Sequence, residues 1–220
     1  MISGKIKEWE DNRAKGKEGG GSKPHPFLTV SRDFGCGEES IIPNLEKEFG
    51  WHVYGKELLN FVVGRDEVSS AVLETLDEKK KGNVFDWVNY ILSSGVILQK
   101  DYVLKVSRLI KTIVLQESAI ILGRGGNHIL KGKPEGLRIK LTAPFDDRVS
   151  HISQIREMGL ARAKELVLQN DHDRKEFIDN YFQGADKDLE NFDLVFNTKS
   201  FSEKSICNIT QFAMKEKGIN

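Results

Sequence analysis

The stretch 27-FLTVSRDFGCGEESIIPNLEKEF-49 decides the fold. "FLTVS" is a short apolar run, "GCG" is a glycine turn, and "SIIPNLEKEF" spaces its apolar residues as a helix does. A strand that feeds a glycine turn and then opens a helix wraps backbone N–H groups around phosphate. Gly35 and Gly37 permit positive φ and close approach of backbone to an anion. Arg32 lies within reach of a phosphate bound there, and Ser40 can meet phosphate oxygens directly or through Mg²⁺. Cys36 completes the turn. Where a phosphate loop usually carries G-K-[ST], this chain reads Gly37-Glu38-Glu39-Ser40. Carboxylates beside a polyphosphate repel it unless a metal intervenes. The competing readings are a plain strand-to-helix turn with a cysteine packed beneath it, and a Cys36 thiol activated by the helix N-terminus.

Beyond that stretch the same alternation continues. "WHVY" at 51–54, "AIILG" at 119–123, "GLRIKLTA" at 136–143 and "FDLVFNT" at 192–198 read as strands. Between them lie helical patterns: "KELLNFVV", "DEVSSAVLETLDEKKKG", "VFDWVNYILSSGV", "DYVLKVSRLIKTIVLQE", "FDDRVSHISQIREMG", "LARAKELVLQNDHDRKEFIDNYFQ" and "SEKSICNITQFAMKEK". Strands separated by helices predict an α/β fold, a parallel sheet with helices on both faces. Ligands then bind outside the carboxyl ends of the strands, so the turns after each strand matter most.

Composition excludes several classes. The 220 residues carry 33 basic and 33 acidic side chains, so no net field draws the chain to nucleic acid or to an anionic membrane. Cys36 and Cys207 are far apart, which fits neither a disulfide framework nor a zinc site, and no metal site is assigned to protein ligands. No apolar run reaches the length of a membrane span, and residues 1–26 have no secretory h-region. A cytoplasmic setting is expected. Residues 1–26, charged and then glycine-rich, read as a tether before a domain at 27–220.

Three later stretches add cations at these turns. In "AIILGRGGNHIL" the strand ends at Gly123, and Arg124 projects where the crevice should be. Arginine suits bidentate clasping of phosphate, whereas His128 four residues on reads as a packing residue. In "APFDDRVSHISQIREMG", Arg148 and Arg156 lie two helical turns apart. In "QNDHDRKEFIDNYF", Asp171, Asp173 and Arg174 adjoin Phe177, Tyr181 and Phe182. Singly, each reads as a solvated face. Together, several arginines after strands or on adjoining helices suit a polyphosphate.

The order of these motifs resembles the cytidylate kinase-like family of P-loop nucleoside monophosphate kinases, from about Phe27 to the last helix. The family's S-R-x-[FY]-G-S-G-G-R-E loop is similar to "SRDFGCGEES", and its [FY]-Y-D-K-E-[LI] strand end to "WHVYGKELL". Its G-R-x-x-x-x-I-L turn is similar to "GRGGNHIL", its A-P-x-x-x-R strand end to "APFDDR", its D-x-x-R lid helix to "DHDR" and its Y-D-L-V-I-N-T strand to "FDLVFNT".

The resemblance implies a three-layer α/β/α P-loop kinase fold. It also implies transfer of the ATP γ-phosphoryl group, with Mg²⁺, to a nucleoside monophosphate, CMP or dCMP first. Arg32, Gly35, Cys36, Gly37 and Ser40 would bind the cofactor. Arg124 would hold the acceptor monophosphate, Arg148 would contact acceptor or transferred phosphate, and Arg174 with Asp171 would belong to a lid at about 148–184. Residues 56–117 would be the helical acceptor-binding insertion, and homodimer formation stays open.

Two departures stand out: Glu38-Glu39 replaces the family's Gly-Arg, and Gly55 replaces the Asp of Y-D-K-E. Arg32 or Lys56 would then compensate, with Glu38 or Glu39 turned toward solvent or the metal. The alternative is a catalytically impaired, nucleotide-binding pseudokinase or regulatory module.

Overall fold

The computed structural model describes residues 25–55, 99–182 and 189–219. β1 (Phe27–Arg32) runs into the glycine turn and α1 (Glu38–Phe49), and β2 (His52–Tyr54) follows. Next come α2 (Gln99–Gln116), β3 (Ala119–Leu122) and the single-turn α3 (Gly126–Ile129). β4 (Gly136–Thr142) leads to α4 (Phe145–Ile155) and α5 (Leu160–Phe182). β5 (Leu194–Asn197) and α6 (Glu203–Glu216) close the chain.

The five strands pair in the order β2-β3-β1-β4-β5, every pair parallel. Phe27 stands opposite Ala119 on one side and Gly136 on the other, so the three central strands start at a common edge. Successive strand residues face opposite ways. Leu28, Val30, Ile120, Ile139 and Leu141 pack beneath α1 and α6, where Leu45, Ile206 and Met214 complete one layer. Phe27, Ala119 and Ile121 face the other way, against Val106, Ile110 and Ile113 of α2 and Leu130. This is the expected three-layer arrangement. Each of the fully buried Leu and Ile side chains contributes about 2 kcal/mol. A third cluster lies off the sheet, where Val149 and Ile152 of α4 meet Ala163 and Val167 of α5, with Phe34 of the loop packed against them.

Some boundaries differ from the sequence pattern for identifiable reasons. α1 starts at Glu38 rather than at Ser40, because Gly37 is its N-cap in the left-handed conformation, φ 85°. Both glutamates therefore sit in the first helical turn, where the macrodipole favours them. α2 begins at Gln99, before the expected Asp101. β5 omits Phe192 and Asp193, since Asp193 turns its carboxylate onto Arg138 of β4 instead of extending the strand. The patterns at 56–98, most of the expected 56–117 insertion, and all but the end of the 1–26 tether lie outside the described residues. No described helix is long and apolar enough to cross a membrane. Cys36 and Cys207 are both free and buried.

Candidate active site

The glycine turn leaves β1 at its carboxyl end and is fastened from below. The Asp33 amide donates to the Leu141 carbonyl of β4 at 3.0 Å. The Thr198 hydroxyl, just past β5, lies 2.7 Å from the Cys36 carbonyl and 3.2 Å from that of Thr142. Gly35 has φ +82°, and a Cβ there would lie 2.8 Å from the Ile152 side chain and 3.0 Å from the Arg148 carbonyl, so α4 rests directly on it. A Cβ on Gly37 would meet nothing within 4 Å, which leaves that side of the turn open. No side chain caps α1. In its first turn the Ser40 amide and hydroxyl both donate to the Gly37 carbonyl, at 3.4 and 3.1 Å.

The backbone of this turn fits an anion; its side chains are already engaged. Glu38 lies 3.4 Å from Arg32 Nε, and Glu39 pairs with His151 of α4. Glu38 is thus directed at Arg32, while Glu39, the more exposed of the two, reaches His151 and still faces solvent as the sequence suggested. Cys36 is 3 % exposed and points its thiol at Glu38. Burial pushes its pKa well above that of an ordinary thiol, and the charges of Glu38 and Asp33 add to the rise. Burial and the facing carboxylate both favour the reading of a cysteine packed beneath the turn over that of an activated thiol.

Two helices bring arginines to the loop. Arg148 of α4, only 7 % exposed, makes a bidentate pair with Asp171 of α5 at 3.0 and 2.9 Å and donates to the Phe34 carbonyl at 3.1 Å. Arg174, further along α5, donates to Asp33 Oδ1 at 2.9 Å. The same carboxylate accepts from the Thr142 hydroxyl at 2.6 Å and lies 3.4 Å from Lys140 Nζ. Arg156 stands apart: it caps α4 and lies over the Phe34 ring, 5.4 Å from its centre. Asp173 accepts from Gln169 on the exposed side of α5 and takes no part.

The turn after β3 is reached from both sides. Arg32 lays its guanidinium on Gly123, where a Cβ would come within 2.7 Å of it. Arg124 adopts φ 53°, unusual for a residue with a side chain, and its guanidinium lies 5.6 Å from the Phe177 ring centre. Phe182 covers Gly125 and stacks on His128 at 4.9 Å, which makes His128 the packing residue its position suggested. α5 therefore spans the site, touching the glycine turn through Arg174 and, by way of Arg148, through Asp171, and the Arg124 turn with Phe177 and Phe182.

Arg32, Arg124, Arg148, Asp171, Arg174 and the loop residues Gly35, Cys36, Gly37 and Ser40 thus converge on the carboxyl edge of the sheet. Sequence reasoning missed Asp33, Lys140, Thr142, His151 and Thr198. A signal existed for part of this set: β4 alternates Leu137, Ile139 and Leu141 with Arg138, Lys140 and Thr142. A polar row on an interior parallel strand is unusual, because such strands are covered on both faces.

No functionally curated protein matches the chain. Its fold is similar to that of an uncharacterized protein from Eubacterium ventriosum, at 17% identity and TM-score 0.60, over 85% of this chain and 99% of that one. A shikimate kinase from Acinetobacter baumannii, solved with shikimate, overlaps 88% of this chain and 95% of its own at 13% identity and TM-score 0.47. The sequence profile of the cytidylate kinase-like family matches residues 27–200, which include every site residue named above. The chain belongs to the cytidylate kinase-like family, with the kinase-like phosphotransferase character that this implies.

Proposed function

We propose that the chain transfers the γ-phosphoryl group of ATP to a nucleoside monophosphate, with CMP or dCMP the first candidates. The observation that carries this is the convergence of Arg148 and Arg174, from two different helices, on Phe34 and Asp33 at the start of the loop. Phosphoryl transfer needs little covalent chemistry from a protein. It needs positioned donor and acceptor and cations where charge develops. The backbone at Gly35, Cys36 and Gly37, with Arg32 and Ser40, holds the donor phosphates in this reading. Mg²⁺ keeps most of its water and leans on phosphate oxygens, so Ser40 and the Glu38 carboxylate are adequate protein oxygens; bound, it neutralises phosphate charge. Arg124 holds the acceptor monophosphate, Arg148 contacts the acceptor or the transferred group, and Arg174 with Asp171 belongs to the lid. Closure of the helix pair α4–α5 excludes water and limits hydrolysis.

The test is diphosphate formation from Mg²⁺-ATP with each nucleoside monophosphate in turn. Turnover is expected with a cytidine acceptor, falling about a hundredfold or more in Arg174→Ala. Equal rates in the variant would remove this site assignment. A second reading, a nucleotide-binding module without turnover, draws on the pairing of Arg32 with Glu38 and of Arg148 with Asp171, since cations so engaged are less available to a ligand. ATP binding by calorimetry without any product would favour that reading.

A further inference from the structure

We propose that Lys140 supplies the phosphate-facing cation that the loop itself lacks, with Asp33 as its positioning residue. In its catalytic aspect this rests on the kinase reading above. Four observations carry it.

The first is the polar row of β4. Arg138 in that row is accounted for by its bidentate pair with Asp193, and Thr142 by its hydrogen bond to Asp33. Among the described residues, Lys140 has no such completed contact. Its ammonium is 3.4 Å from Asp33 Oδ1, longer than a good charge-assisted hydrogen bond, and 5.9 Å from the Phe192 ring centre. Its side chain is 18% exposed, so the charge is held largely out of water. An ammonium kept there needs anionic company.

The second is the sharing of one oxygen. Arg174 donates to the same Asp33 Oδ1 at 2.9 Å. Two cations on one carboxylate oxygen repel each other, so Asp33 Oδ1 alone does not hold Lys140 fully. The third is position. Lys140 stands opposite Ser31 in the β1–β4 register, beside the strand end from which the loop departs. That carboxyl edge is where ligands bind in sheets of this kind. The fourth is the loop's own chemistry, with Glu38 and Glu39 where a cation is wanted. Lys140 comes from a neighbouring strand, a hundred positions along the chain, so no loop motif would reveal it.

A structural ion pair is the alternative, and the test separates the two. Inorganic tripolyphosphate, and ATP without metal, are titrated by calorimetry into wild type, Lys140→Met, Lys140→Arg and Lys217→Met. The last removes a lysine that pairs with Asp193 at the opposite edge. Lys140→Met is expected to weaken both ligands about tenfold or more, with Lys140→Arg and Lys217→Met within about threefold of wild type. Thermal melts confirm folding, and Lys140→Gln is read instead if the Met variant does not fold. Wild type that binds neither ligand overturns the proposal, as does Lys140→Met that matches wild type in affinity and turnover. Lys140-dependent binding without turnover by wild type would sink the kinase reading and leave Lys140 in place. Turnover that ignores Lys140 would do the reverse.

Discussion

β4 has an aspartate cluster at each end, and the two are built from the same residue types to different effect. At the amino end, Asp193 accepts from the Arg138 amide at 2.8 Å and from its guanidinium at 3.0 and 3.3 Å. Lys217 then bridges Asp193 and the Gly136 carbonyl. Burial raises the Asp193 pKa, but the Arg138 bonds and the charges of Arg138 and Lys217 outweigh it and hold the carboxyl below its usual range. Every partner is fixed by the β4–β5 pairing or by the end of α6. At the carboxyl end, Asp33 gathers Arg174 and Lys140 through single contacts, one of them from a helix that also carries Asp171. The first cluster pairs its charges at that edge, and among the described residues only the buried Arg138 Nη1 is left without a hydrogen bond there. The second draws its cations from a neighbouring strand and from α5, at the carboxyl edge where ligands bind in sheets of this kind.

Glycines at the two ends should break this comparison most visibly if it is wrong. A Cβ on Gly136 would fall 1.9 Å from the buried Phe27 ring, against 2.8 Å from Ile152 for Gly35. Gly136→Ala is expected to destabilise by about 3 kcal/mol, the upper end of overpacking, while the activity of the folded fraction stays unchanged. Gly35→Ala adds about 1–2 kcal/mol of left-handed backbone strain to its own clash. It also pushes α4, and with it Arg148, off the loop, so activity per folded molecule falls as well. Urea melts and active-site-normalised rates on both variants check this. Loss of activity in folded Gly136→Ala would end the division between a structural edge and a functional one.

The Asp193 cluster has a smaller, pH-dependent signature. Asp193→Asn is expected to cost about 1–2 kcal/mol at neutral pH. Because the folded carboxyl is depressed, its contribution is complete above the ordinary Asp pKa of about 4 and is lost as pH falls through the lower folded value. Stability curves of wild type and variant should therefore lie apart at pH 7 and converge in acid, as followed by denaturant melts across that range. A gap that stayed constant into acid would mean that the pair does not contribute through its charge.

Much of this was readable from local pattern. "FLTV" and "AIIL" are apolar runs because their strands are buried on both faces, and the alternation of such runs with helical patterns announced a parallel sheet. Gly35 and Gly37 marked the turn because left-handed backbone there favours glycine. Arg124, Arg148 and Arg174 were legible from their places after strands or on adjoining helices. Asp33 and Lys140 were not, since their meaning depends on the β1–β4 register and on where α5 crosses the sheet. The glutamates were legible as residues but not as partners. Nothing local says that Glu38 faces Arg32, or that Glu39 reaches His151 on a helix that starts more than a hundred residues later.

The smallest predicted effect bears on those glutamates. Glu38 lies in the first turn of α1 and beside Arg32, so its charge acts in two directions. It favours the helix by a few tenths of a kcal/mol through the macrodipole, and it opposes any polyphosphate seated at the same N-terminus. Glu38→Gln keeps the shape and removes the charge. Stability should fall slightly, while affinity for metal-free ATP rises about three- to tenfold as Arg32 is released toward the ligand. Glu39→Gln should do less, because that side chain is nearly half-exposed and is paired with His151 instead of Arg32. Calorimetric titration of both variants orders the effects. If Glu38→Gln instead weakens ATP, the carboxylate is positioning Arg32 rather than competing for it, and the carboxyl edge would then be as self-sufficient around Glu38 as the amino edge is around Asp193.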